Sequence, residues 1–137
     1  MSGPRPARPE FFLALLTTAL WAASAFAAIG MLAWVLDREP VARPVGPAYA
    51  FLALLVAGVF LWLLTGFAVQ AEHPWVAMLA AAAGVYLAIV LTAFVVDFGL
   101  LVEQATSVFV ITAASLAAST TALAWWLATV RPPRTRD

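Results

Sequence analysis

WVAMLAAAAGVYLAIVLTAFVV, residues 75–96, carries neither a charged side chain nor a proline from end to end. A hydrocarbon core about 30 Å thick takes about 20 helical residues to cross, at a rise of about 1.5 Å each. This run is therefore long enough to span by itself. It also lacks the period-two alternation of a barrel strand. Working outward, three further runs have the same character: Phe11 to Leu36, Ala48 to Val69, and Ser107 to Val130. Each is bounded by charge, proline or both. The links between the four are short, and short links make sequence neighbours antiparallel neighbours. The expected fold is an all-α integral membrane protein, an antiparallel up-down bundle of four transmembrane helices. It forms one domain over residues 11–130, with tails at 1–10 and 131–137.

Composition supports the same class. Hydrophobic residues make up 65% of the chain and charged residues 10%, with a mean hydropathy of +1.00; soluble domains run near about 45–50% and about 25%. The formal net charge is zero, so no basic field recruits nucleic acid. Cysteine is absent and histidine occurs once. That excludes disulfides, thiol catalysis, cysteine-held clusters and a bis-histidine haem within one chain. Every basic side chain is arginine and alanine is abundant, a bias that points to a GC-rich bacterial genome and to the bacterial inner membrane.

Direction follows from arginine, since positively charged flanks stay cytoplasmic. Arg5, Arg8, Arg131, Arg134 and Arg136 outnumber Arg38 and Arg43, which puts both termini inside and the 37–47 connection outside. Trp75, Trp125 and Trp126 then fall near the inner interface and Trp34 near the outer one, the levels indole rings favour. The small-x-small triplet Ala25, Phe26 and Ala27 resembles a signal cleavage site, but apolar sequence continues to Leu36, past the about 7–15 residues of a signal core. No cleavage is expected.

All seven acids, Glu10, Asp37, Glu39, Glu72, Asp97, Glu103 and Asp137, fall at span ends, loops or tails. Proton relays and voltage sensors keep ionisable residues at membrane depth, and the spans hold none. The small multidrug exporters share this size and helix number, but their proton-coupled glutamate lies well inside the first helix, whereas Glu10 precedes it. Glu72 and His73 stand directly before Pro74, a residue suited to the first position of a helix. They read as a turn, because two ligands do not complete a metal site. No catalytic, cofactor-binding or metal-binding residue is expected, and the chain is read as not an enzyme.

Packing chemistry is what the spans do carry. In lipid, helices associate through small residues and interhelical hydrogen bonds. Ala80, Gly84 and Ala88 recur at intervals of four on the third span, with Thr92 following, as do Ala19, Ala23 and Ala27 on the first. Gly58 and Gly66 flank Trp62 on the second. On the fourth span Thr112, Ser115 and Ser119 form a hydroxyl stripe. Trp21, Trp62, Tyr86 and Ser119 count to comparable depths, and this layer is expected to pair indole and phenol donors with hydroxyls or backbone carbonyls. Together Ala80, Gly84, Ala88, Thr112, Ser115 and Ser119 make the expected packing seam.

Asp37 to Ala50, DREPVARPVGPAYA, is the one internal place where charges crowd together. Topology sets it beside Asp97 to Ala105, DFGLLVEQA. Asp97 follows the third span, where a helix C-terminus disfavours negative charge and a positive partner helps. Arg38 or Arg43 is therefore expected to pair with Asp97 or Glu103 and latch the two outer connections, with Pro40, Pro44 and Pro47 limiting loop freedom. The apolar stretch Phe98 to Val102 reads as an interfacial or re-entrant turn. A weak cation or partner site built from Asp37, Glu39, Asp97 and Glu103 is the functional alternative.

Asp37, Val41, Pro44, Gly46 and Pro47, with the hydropathy layout of the whole chain, resemble a group of small actinobacterial membrane proteins with four helices and no established activity. The resemblance implies the four-span architecture and brings no functional residues. The function expected is a non-enzymatic structural or accessory membrane component that packs with itself or with another membrane protein in the lipid bilayer. The rival is a small carrier or channel subunit whose path forms only in an oligomer.

Overall fold

The computed structural model describes residues 9–130, which form five helices and no strand. They are α1 (Pro9–Leu36), α2 (Pro47–Ala68), α3 (Pro74–Val96), α4 (Phe98–Ala105) and α5 (Val108–Val130). The four long ones, α1, α2, α3 and α5, are long and apolar enough to cross a membrane. Their ends lie within two residues of the boundaries that hydropathy sets. The Arg131 to Asp137 tail and the arginines at 5 and 8 lie outside the described residues.

Local chemistry explains the boundaries. Proline opens α2 and α3 at their first turns, where the missing N–H would have had no intrahelical partner. Gly46, at φ 76°, turns the chain into α2. α1 ends on Asp37, the only non-glycine described with positive φ, at 48°. The amide of Asp37 donates to the Trp34 carbonyl (3.4 Å) and that of Arg38 to the Ala33 carbonyl (3.1 Å). These two bonds close the last turn as a left-handed C-cap does, with an aspartate standing where glycine is usual.

α4 replaces the expected interfacial turn. Asp97 adopts an extended backbone (φ −161°), ends α3, and its carboxylate accepts from the amides of Gly99 (2.6 Å) and Leu100 (3.2 Å). The acid is thus less the burden of one helix C-terminus than the N-cap of the next. One face of α4 buries Leu100 and Gln104, and the other exposes Phe98 and Val102.

α1 packs against α2 and α5, and α3 packs against the same two, so α1 and α3 stand across the bundle from each other. The core between them is largely alanine: Ala53 and Ala57 of α2, Ala81 and Ala88 of α3, Ala113 and Ala117 of α5, around Trp21, Leu61 and Val85. Small side chains let these backbones approach closely. The stripes actually buried mix steps of four with one of three: Ala14, Thr17, Trp21 and Ala25 on α1, and Ala77, Ala81, Val85 and Ala88 on α3. This corrects the interval-of-four reading. Each step of four overshoots a full turn by about 40°, so a stripe that starts toward lipid at Ala80 winds into the core by Ala88. Ala19, Ala23 and Ala27 face outward throughout.

Candidate functional site

At one end of the bundle the 37–46 connection is bound to α4. Arg43 Nη1 lies 3.3 Å from Asp97 Oδ1, and Arg43 Nε lies 3.8 Å from Glu103 Oε2. The Ala42 amide donates to Glu103 Oε1 at 2.8 Å. Gln104, almost fully enclosed, donates its Nε2 to the Pro40 carbonyl at 3.3 Å. The Arg43 guanidinium occupies the space where any side chain at Gly99 would begin. Of the four residues named for the latch, Arg43, Asp97 and Glu103 come together; among the described residues Arg38 makes no ion pair and is exposed. Arg38 directly follows the left-handed turn at Asp37.

Gln104 is the functional-looking residue that sequence reading passed over. Its signal was present, since Leu100 and Gln104 lie four apart in FGLLVEQA and share a helical face once that segment is helical. The four acids of the alternative cation site do not converge: among the described residues no three His, Asp or Glu side chains are placed to hold a metal ion.

The aromatic donors pair with backbone carbonyls rather than with hydroxyls. Trp21 Nε1 donates to Ala113 O (2.9 Å), tying α1 to α5 in the buried core. Trp62 Nε1 reaches Phe11 O (3.1 Å), Trp125 Nε1 reaches Ala71 O (3.1 Å), and the Tyr86 hydroxyl reaches Ala105 O (2.7 Å), a carbonyl at the end of α4. Trp62 and Tyr86 therefore serve opposite ends of the bundle and do not form the single layer expected of them.

The hydroxyl stripe of α5 turns outward. Ser115 and Ser119 are exposed and Thr112 is half-buried; their hydroxyls donate to Ile111 O, Ser115 O and Val108 O, all four residues back on the same helix. Among the described residues these three hydroxyls bridge no two helices. The buried face of α5 instead carries Ala113, Ala117, Thr120, Thr121 and Ala124. Of the α3 members, Ala80 is exposed, Ala88 is buried, and Gly84 is half-buried beneath the Leu64 side chain, which fills the space a side chain there would need. Between α3 and α5 runs an open, shallow trough of about 440 Å³ whose walls are mostly small, Ala82, Ala83, Ala114, Ser115 and Ala118, with Tyr86 and Ile111 as its larger lining residues.

Comparison of the chain with protein-family models, curated proteins and solved structures finds no match. Its own geometry is therefore what any functional reading rests on.

Proposed function

We propose that this chain is a non-enzymatic, multi-pass protein of the bacterial inner membrane that works by packing laterally, with a second copy or with another membrane protein. The trough between α3 and α5 carries the reading. It presents Ala83, Ala118 and Ser115 on the outer face of the bundle, and small residues are what allow another helix to come within van der Waals reach in lipid. The hydroxyls beside it already satisfy their donors locally, so this face can meet lipid or protein without an unpaired donor.

We further infer an up-down antiparallel arrangement with both termini cytoplasmic. Contacts between distant segments support it: the end of α2 meets the start of α1 through Trp62 and Phe11, and the 37–46 connection meets the end of α3 through Arg43 and Asp97. Trp34, exposed near the end of α1, suits the outer interface.

The chain has no native cysteine, so single-cysteine variants give a clean test. Ala83→Cys and Ala118→Cys, oxidised in native membranes, are expected to give cross-linked dimers or one heteromeric adduct. Leu55→Cys, exposed on α2 and outside the trough, is the control. Equal cross-linking at all three positions, or none at any, overturns the reading. Solute flux through vesicles that falls with Ser115→Ala and Ser119→Ala would favour the oligomeric carrier or channel instead.

A further inference from the structure

Beneath the Arg43 clamp the bundle is not closed. A cavity of about 290 Å³ lies between α1, α2 and α5. Pro40, Val41 and Gln104 roof it, and Ala53, Ile89 and Ala113 are among the apolar side chains that wall it. It exists because α1 changes its relation to the bundle along its length: Ala25 is its last buried residue, and beyond it Phe26 is 75% exposed and Gly30 is exposed. The exposed lining residues are Phe26 and Gly30 of α1 and Ala50 of α2. The mouth thus opens sideways between α1 and α2, within the apolar spans and under the roof.

An apolar cavity of this kind does not hold water, and an empty one forfeits dispersion contacts along its whole lining. A dry cavity of about 150 Å³ accepts benzene; by that scale this one takes about a dozen carbons. One polar demand stands beside it. Tyr49 lines the cavity, is 5% exposed, and its hydroxyl is enclosed with no hydrogen-bond partner among the described residues. Tyr49 lies in the first turn of α2, near the level where lipid ester carbonyls meet the hydrocarbon. The charge above the roof is unfavourable to anions: Asp37, Glu39, Asp97 and Glu103 oppose Arg38 and Arg43, and Arg43 is already engaged by two carboxylates.

We propose that this cavity is a lipid site, which takes one acyl chain of a lipid without net negative headgroup charge and offers the Tyr49 hydroxyl to its ester carbonyl. The proposal rests on the membrane reading above but not on the α3/α5 trough.

The test is photolabelling of the whole chain in nanodiscs, with phosphatidylcholine bearing a diazirine near the middle of one acyl chain and, in a parallel arm, the same chain on phosphatidylglycerol. Labelled residues are mapped by peptide mass spectrometry. The phosphatidylcholine probe is expected to mark Ile89 and Phe109, buried residues of the inner wall that keep some open surface, more strongly than the phosphatidylglycerol probe does. Gly30→Leu should cut that inner-wall label about tenfold while leaving label on outward residues such as Leu91 unchanged. It should also fold, because nothing lies within 4 Å of a side chain built at Gly30. Tyr49→Phe should cut the inner-wall label about threefold. Label confined to outward residues, or inner-wall label indifferent to Gly30→Leu, overturns the site. Equal labelling of the inner wall by the two probes overturns the headgroup preference, and an unchanged signal in Tyr49→Phe overturns the role of the hydroxyl. A chain that takes no label anywhere is not in the bilayer, which overturns the membrane reading and the site with it.

Discussion

The two halves of α1 have similar composition and opposite fates. From Leu13 to Ala25 the helix buries a residue at nearly every turn, anchored by the fully enclosed Trp21 and its bond to Ala113. From Phe26 to Leu36 it buries none completely. The ends of the bundle differ accordingly. Where α1 is held, Phe11 sits edge-on to the rings of Trp62 and Phe67 and covers Gly66. Where α1 is released, an ion pair, a capped short helix and a buried amide hold a loop over a cavity. Hydropathy alone did not decide which half packs; the size and spacing of side chains did. Ala14, Thr17, Trp21 and Ala25 present one continuous stripe to α2 and α5, and beyond Ala25 no large side chain continues that stripe with full burial.

The comparison breaks most forcefully at Trp21. Trp21→Ala empties a site with no exposure and is expected to destabilise the bundle by about 3–5 kcal/mol, read as loss of helical signal on titration with a denaturing detergent. Phe26→Ala, on the released half and 75% exposed, should change the same titration by less than about 0.5 kcal/mol.

Gly84 and Gly30 form the next contrast. Gly84→Val pushes into the Leu64 side chain and is expected to cost about 1–3 kcal/mol. Gly30→Ala meets open space and should stabilise α1 by about 0.5–1 kcal/mol. Paired thermal melts in one detergent check both signs.

At the clamp, Asp97→Ala removes a helix cap and an ion pair together, whereas Asp97→Asn keeps an acceptor for the amides of Gly99 and Leu100. The alanine variant should lose about 1 kcal/mol through the cap. The asparagine variant should lose only the half-exposed pair, about 0–1 kcal/mol. Proteolysis within the 37–46 connection should rise in both, more in alanine; indifference in both would mean that the loop is held by Gln104 and Glu103 alone.

The last contrast concerns Asp37, in the turn that ends α1. Asp37→Gly relieves a positive φ and should stabilise the end of α1 by up to about 1 kcal/mol. The melt should shift upward without any change in protease sensitivity of the loop.

The long helices were legible in the sequence because uncharged length is a one-dimensional signal, punctuated by Asp37, Pro47, Pro74 and Asp97. α4 was not, since eight residues between two spans carry too little periodicity to separate a short helix from an apolar turn. Only Asp97, three residues ahead of Leu100, hinted at a cap. The facing of each helix was the other hidden quantity. Alanine is so frequent that several stripes on α1 and α3 look equally able to pack, and which one wins is settled by where Trp21, Leu61 and Val85 fit together. Hydroxyl content misled for a related reason: Ser115 and Ser119 can satisfy themselves on their own helix, so their polarity does not force them inward. The charged residues near Arg43 were easier to place, because only two connections flank them and opposite charges there are few.

The clamp also has a place in time. Arg43 precedes Asp97 by 54 residues, and a ribosome adding about 5–20 residues per second takes about 3–11 s to cover that distance. For that interval the newborn hairpin of α1 and α2 has its loop unfastened. The contacts that pin the first connection come from Asp97, Glu103 and Gln104, so the first half of the chain is fastened only by residues of the second.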